Sequence, residues 1–282
     1  MKRSVLALLS LVPVMTVMAA TPAEKTAEAA AVRYADCFES GRVADIYALL
    51  PASYQKDITK VVSTFGATMD ADIWKEGQSV VATLADVVAV KADLVAAMIA
   101  EKSKVPVAEI APAVVKSANA VKALSGKISL DTLKKGDVVK ILSYPEIVDA
   151  GAVSKIAAKE VQKGAVVGSK EAADGSVVIS FKNEAGVVEE EPFVKVDNKW
   201  VPKEMADGWK DGVADALKGI GEMKIEPAMK QQLLAMSPMI KAGIEGAKNA
   251  TTKEQFQQSL MMPMFTAMMM MGSQGAPAAP AK

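Results

Sequence analysis

The segment GAVVGSKEAADGSVVISFKNEAGVVEEEPFVKVDNKWVPK, residues 164–203, decides the fold class of this chain. Its apolar and polar residues alternate, and an alternation of period two is typical of strands with one buried face. The turn dipeptides that separate its β-rich runs are Asp174-Gly175, Ala185-Gly186 and Asp197-Asn198. We therefore predict three or four antiparallel strands in a meander, with Val177, Ile179 and Phe181 on one face.

Pro192 and the acidic run before it bear on the edges of this predicted sheet. Pro192 cannot donate to a strand ladder, so we expect it at an edge or a bulge. Glu189 and Glu191 would share one strand face, where two carboxylates could hold a hard cation such as calcium. Charges on an edge strand also discourage edge-to-edge pairing between molecules, and we favour this second interpretation of residues 189–191.

Helical patterns dominate on both sides of the meander. Between residues 80 and 100 apolar residues recur at steps of three and four, which is the wide stripe expected of a buried helix. The residues of this stripe are Val81, Leu84, Val88, Ala92, Val95 and Ile99. Three charged residues, Asp86, Lys91 and Asp93, interrupt the apolar run and argue against a membrane span.

Other signals mark where helices begin and end. Thr21-Pro22-Ala23-Glu24 and Thr251-Thr252-Lys253-Glu254 are capping boxes, so we expect a helix to begin at each. Gly41 is expected to end the first helix, because glycine is common just past a helix C-terminus. Two apolar stripes predict helices after Pro202, one with Met205, Trp209, Val213, Leu217 and Ile220, the other with Met229, Leu233, Met236, Ile240, Ile244 and Ala247.

The pattern as a whole predicts an α+β fold that is mainly helical. A small three- or four-stranded antiparallel meander is followed by C-terminal helices. The expected regions are a signal peptide (1–20), a helical region (21–145), a β-meander region (146–205), a C-terminal helical region (206–271) and a disordered tail (272–282). The tail is assigned from its Gly, Ala and Pro content, which cannot build an apolar core.

The first twenty residues have the three-part layout of a secretory signal peptide. Lys2 and Arg3 form a basic head, residues 4–17 are an apolar run without a charge, and small residues follow. The run is shorter than the roughly 20 residues that span a bilayer. We expect an exported protein, periplasmic or extracellular, cut before Ala20 or Thr21. Lipid anchoring is not expected, because no cysteine follows the run.

Composition excludes several kinds of chemistry. The chain has no histidine and one cysteine, which excludes Ser-His-Asp and Cys-His catalysis and the usual zinc sites. Removing Lys2 and Arg3 from the 33 basic residues leaves 31 against 33 acidic residues. A chain this close to neutral lacks the electrostatic footprint of a nucleic-acid binder. Cys37 lies near Tyr34 and Phe38 on a predicted apolar face, which favours a buried, inert thiol over an intermolecular disulfide.

One short motif resembles a catalytic element. Ser53-Tyr54-Gln55-Lys56 matches the S-x-x-K pattern of serine penicillin-binding enzymes, but the accompanying S-D-N and K-T-G elements are missing. A hydrolase that uses two carboxylates is formally possible as well. Both enzyme hypotheses rank below a binding role, and we lean towards a protein that is not an enzyme and that needs no cofactor.

The window MMPMFTAMMMM, residues 261–271, holds seven of the chain's 17 methionines and is called the Met-rich segment below. Thioether sulfurs are soft ligands that suit Cu(I). Helical spacing would bring four of them into one row. The candidates for this metal site are Met261, Met264, Met268 and Met271.

Two other interpretations of the Met-rich segment compete with metal binding. Methionine is frequent on adaptable protein-binding surfaces, and a partner or a second copy would contact Met262, Met269 and Met270. Alternatively, Phe256, Leu260 and Met264 lie on one helical face and pack into the core. These two interpretations are compatible, because one row can be buried while the other stays exposed.

Two segments resemble parts of secreted nuclear transport factor-like domains. The first is residues 176–203, whose matching residues are Val194, Val196, Asp197, Asn198, Lys199 and Trp200. The second, CFESGRVADIYALLP at residues 37–51, resembles the helix-turn-helix entry of such domains. The resemblance implies a curved sheet packed on helices and no particular ligand.

The function expected from the sequence is a non-enzymatic binding or protein-interaction role. Self-association through the Met-rich segment is a possible form of it, and no nucleic-acid partner or transmembrane span is expected. The alternative is a Met-rich soft-metal protein that binds Cu(I). A carboxylate-dependent hydrolase is the second alternative.

Overall fold

A computed structural model describes residues 25–103, 105–153, 165–182, 186–223 and 225–261. The chain is mainly helical and carries a four-stranded antiparallel sheet, which confirms the predicted fold class. In chain order the elements are α1 (Ala27–Ser40), α2 (Val43–Leu49), α3 (Ala52–Thr68), α4 (Ala71–Val90), α5 (Ala92–Ser103), α6 (Val107–Lys127), α7 (Leu130–Lys134), α8 (Val138–Leu142), α9 (Glu146–Ala150), β1 (Ala165–Glu171), β2 (Val177–Lys182), β3 (Val188–Val196), β4 (Lys199–Pro202), α10 (Lys203–Glu222), α11 (Pro227–Gly246), a 3-10 turn (Ala247–Asn249) and α12 (253–261).

The chain divides into two compact units, and it passes between them three times. Unit 1 contains the described residues up to Met69 and those from Ile128 to 223. Unit 2 contains Asp70–Lys127 and the described residues from Ile225 onward. Each unit is therefore built from segments that are distant in sequence. Across the described ranges, no helix combines the length and the apolarity that crossing a membrane requires.

Unit 1 is organised around the sheet, whose strands follow the chain in the order β1-β2-β3-β4. Helix α1 packs against β1, β2 and β4, and α10 packs against β3 and β4. As predicted, Ile179 and Phe181 are buried on one strand face, with Val177 packed against the same cluster. The buried residues of this cluster are Ala27, Ala31, Tyr34, Cys37, Ile46, Leu49, Ile179, Phe181 and Phe193.

The position of Pro192 agrees with the expectation of an edge. Strand β3 pairs with β2 from Val188 to Phe193, whereas its pairing with β4 begins only at Phe193, opposite Pro202. Val196 and Lys199 close the two-residue hairpin and pair through their backbone groups. Backbone nitrogens on a strand point to alternate sides, so the nitrogen of Pro192, four residues before Val196, also points towards the β4 side. Strand β4 has ended at that point. The missing N–H of Pro192 therefore removes no hydrogen bond between β3 and β4.

The hairpin between β3 and β4 explains why its turn carries Asp-Asn. Asp197 and Asn198 have φ angles of 48° and 60°, in the left-handed region that a type I′ hairpin requires. Asp and Asn tolerate this region better than other non-glycine residues. Gly41 likewise has a φ of 60°, and Arg42 N–H reaches back to the carbonyl of Cys37 at 2.8 Å. This is the predicted end of α1.

The prediction of one continuous buried helix over residues 80–100 is wrong in two respects. The helix is interrupted at Lys91, where φ is −107° and ψ is 29°, and α5 continues from Ala92. Val81 and Leu84 are 41% and 37% exposed, although the stripe was expected to be buried. The fully buried residue of α4 is Val87 instead. The run is apolar on most of its circumference, so its period could not identify the packed face.

The predicted N-terminal capping box at residues 21–24 lies outside the described residues. Helix α1 begins at Ala27, where the Thr26 hydroxyl accepts a hydrogen bond from Ala29 N–H at 3.2 Å. Thr26 therefore acts as the N-cap of α1. The signal peptide region and the predicted tail also lie outside the described residues.

Candidate interaction surface in unit 2

Helix α12 begins with a capping arrangement one residue later than predicted. The Thr252 hydroxyl accepts a hydrogen bond from the backbone N–H of Gln255 at 3.2 Å. The side-chain oxygen Oε1 of Gln255 accepts one from the backbone N–H of Thr251 at 2.9 Å. The N-cap is therefore Thr252, with Gln255 in place of Glu254 at the third helical position. Either Gln or Glu can occupy the third helical position of a capping box. The sequence is therefore compatible with two overlapping capping boxes, one that starts at Thr251 and one that starts at Thr252.

Apolar side chains hold α12 in the core of unit 2. Phe256 is 2% exposed and belongs to a buried cluster with Val87 and Ile244, and Leu260 packs against the same cluster. Lys253 forms an ion pair with Glu101 at the start of the helix. The prediction that Phe256 and Leu260 form a core row is therefore confirmed. Its extension to Met264 lies outside the described residues.

The Met-rich segment begins at the last described residue of α12. Met261, its first residue, is 69% exposed. The other residues singled out for binding or for metal, Met262, Met264 and Met268 to Met271, lie outside the described residues. The structure therefore fixes the base of the segment and the exposure of its first methionine.

Ion pairs join α4 to α11 along one side. The Lys230 ammonium lies 2.9 Å from Asp70 Oδ2 and 2.6 Å from Asp72 Oδ2. Further along both helices, Lys241 Nζ lies 2.6 Å from Glu76 Oε1. Residue numbers rise together on both helices, so the two helices run parallel. We call these three carboxylates and two lysines the α4–α11 ladder.

The ladder shifts the pKa values of its members. The hydrogen bond from Lys230, followed by that from Ile73 N–H, lowers the pKa of Asp70 below its ordinary value. Hydrogen bonds to Asp72 and Asp70 raise the pKa of Lys230. Hydrogen bonds from Lys241 and from Ser237 lower the pKa of Glu76. All three shifts favour the charged forms of Asp70, Glu76 and Lys230.

A third side of α4 is apolar and open. Gln78 donates to the Ser125 carbonyl and Asp86 pairs with Lys122, so these residues face α6. The outer face of α4 lies away from both α6 and α11. It consists of Ile73, Gly77, Val81, Leu84 and Val88, spaced by four, four, three and four residues. Sequence reasoning named three of these residues but placed them in the core.

In unit 1, ion pairs around the buried carboxylate of Asp45 link α2 to α1. Asp45 is buried and lies 3.4 Å from Arg33 Nη2 and 3.0 Å from Arg42 Nη1. Cys37 is fully buried, and burial raises the pKa of its thiol despite the opposing effect of the two arginines. A thiol held in its protonated form is a poor nucleophile. The prediction of a buried cysteine is confirmed.

The S-x-x-K motif has a structural role. The backbone N–H of Ser53 donates to Asp197 Oδ2 at 2.8 Å, and the side chains of Ser53 and Lys56 are exposed on α3. Asp197 thus caps the N-terminus of α3 from the β3–β4 hairpin, and hydrogen bonding with the Ser53 side chain, followed by that from the Ser53 backbone N–H, lowers the pKa of its carboxyl. Glu189 and Glu190 are exposed on β3. Within the described ranges, no three acidic, histidine or cysteine side chains are grouped to hold a metal ion.

Two aromatic features of unit 1 were missed by sequence reasoning. Tyr54 stacks on Trp209 with ring centroids 3.9 Å apart, and the indole N–H of Trp209 donates to Asp57 at 3.0 Å. Burial, followed by the charges of nearby aspartates, raises the pKa of Tyr54. The Tyr34 hydroxyl and the Trp200 indole N–H are buried, and neither has a hydrogen-bond partner among the described residues. The residues that form these contacts lie far apart in sequence, so no local sequence motif predicts the contacts.

The residues that carry the resemblance to nuclear transport factor-like domains lie at the β3–β4 hairpin. The Lys199 ammonium donates to the Ala48 carbonyl. Trp200 packs against the buried cluster of unit 1 that includes Tyr34 and Phe193, and the Lys195 ammonium lies over its ring. They tie the hairpin to α1 and α2. Comparison of the chain with protein families, with curated proteins and with solved structures found no match in any of the three.

Proposed function

We propose that this protein has a non-enzymatic role and binds a protein partner through the Met-rich segment. The observation that carries the proposal concerns the last described residues of α12: Phe256 is buried, Leu260 packs against the same cluster, and the next residue, Met261, is exposed. A segment that starts from a fixed base offers its side chains with less loss of conformational entropy than a wholly free one. The residues proposed to contact the partner are Met262, Met269 and Met270.

Methionine suits such a surface for a physical reason. Its side chain is unbranched and its sulfur is polarizable, so it adapts to differently shaped partners. The segment carries no charge, so its contribution to binding comes from burial of apolar area rather than from ion pairs. We therefore expect partner binding to depend weakly on salt concentration.

A capture experiment with matched variants tests the proposal. Immobilised protein is incubated with extract of the cells that produce it, and captured proteins are compared between the parent and the Met262/Met269/Met270→Ser variant. The control variant is Met229/Met239→Ser, which alters methionines that are 44% and 41% exposed on α11. We expect one captured protein to be lost from the first variant and kept by the second. Equal capture by all three proteins would refute the proposal.

Cu(I) binding is the second candidate, and the exposure of Met261 at the head of the metal row favours it. Met261, Met264 and Met268 would supply three thioether ligands. Titration with Cu(I) under reducing conditions would then give a stoichiometric complex that the Met261/Met264/Met268→Ser variant loses. If both proteins bind Cu(I) equally weakly, this candidate is excluded.

Export is proposed as well, and the layout of residues 1–20 supports it. Mass spectrometry of the protein from its natural source would then show an N-terminus at Ala20 or Thr21. An exported form that retains Met1 would contradict the proposal.

A further inference from the structure

We draw no further inference here: the strongest candidate, the apolar outer face of α4, rests on the exposure of Val81 and Leu84 alone, and nothing in the described part of the chain shows what covers it.

Discussion

Unit 1 and unit 2 bury apolar surface in different ways. In unit 1, large side chains from the sheet and α1 are almost completely enclosed, and Phe193 is 1% exposed. In unit 2, the α4–α11 ladder aligns two helices, and the described elements leave Val81 and Leu84 exposed on an apolar side of the central helix α4. Unit 1 thus has the features of a closed scaffold, whereas the described part of unit 2 leaves apolar side chains of α4 exposed.

The difference shows where function is to be sought. Apolar residues scattered singly on a surface need no explanation, but a continuous apolar face marks an interaction site. Ion pairs near the surface contribute little stability, so the ladder is better understood as fixing the register of α4 on α11. That register determines which side of α4 the described elements of unit 2 leave exposed.

The largest expected effect lies in the sheet of unit 1. Phe193→Ala removes a fully buried ring that contacts Tyr34 with centroids 6.5 Å apart. We expect a loss of about 3–5 kcal/mol in the free energy of unfolding, from lost transfer energy and the cavity left behind. Urea denaturation measures it. The control is Val188→Ala on the same strand, which is 53% exposed and should cost less than about 0.5 kcal/mol. Similar losses for both would show that the sheet core is not closed.

Leu260→Ala should have an intermediate effect. Leu260 is half-buried against the Val87 and Phe256 cluster, so we expect a loss of about 2 kcal/mol, at the lower end of the range for leucine truncation. Amide exchange of α4 and α11 should accelerate while that of β2 stays constant. The neighbouring exposed residue provides the control, since Met261→Ala should leave the unfolding free energy unchanged. A loss below about 0.5 kcal/mol for Leu260→Ala is typical of surface sites and would mean that α12 is not anchored.

The long-range cap of α3 should give a smaller effect in unit 1. Asp197→Ala removes the acceptor for Ser53 N–H and places alanine at a φ of 48°, so the melting temperature should fall. Asp197→Asn retains an acceptor oxygen and tolerance of the left-handed region, and it should lower the melting temperature less. If the two variants melt together, the cap contributes nothing.

The smallest effect, and the one most specific to unit 2, is the pH dependence of the ladder. The pKa of Asp70 is lowered in the folded state, so its contribution to stability is present above the unfolded pKa, about 3.9, and is lost as pH falls through the folded value. Glu76 behaves in the same way. The pKa of Lys230 is raised, so its contribution is lost only at strongly alkaline pH.

Denaturation of the Lys230→Met variant between pH 5 and pH 2 tests this account. Removing the ammonium brings the pKa of Asp70 back towards its ordinary value, so the variant should lose less stability on acidification than the parent. Lys218→Met, an exposed lysine on α10 of unit 1, removes the same charge elsewhere and should keep the parental slope. Identical slopes for all three proteins would show that the ladder is not formed in solution.

The elements with local signals were predictable from sequence. Alternation and turn dipeptides identified the meander, and Gly41 correctly ended α1, because both depend on residues adjacent in the chain. The outer face of α4 was not predictable, because the second half of the helix, from Val80 to Val90, is apolar on most sides and its pattern does not show which side is packed. The cap from Asp197 to Ser53 joins residues 144 positions apart, and the Tyr54–Trp209 stack likewise depends on tertiary packing. Neither the exposure of Met261 nor that of Val81 and Leu84 on α4 was predicted.

Site-specific photo-crosslinking in the cells that produce the protein tests the central claim most directly. A photoreactive amino acid replaces Met262, Met269 or Met270 in turn, and Met239 on α11 serves as the exposed control. The account predicts adducts to one and the same protein from the three positions in the Met-rich segment and none from Met239. Adducts that are equally abundant at Met239, or an absence of adducts at all three positions, would contradict it.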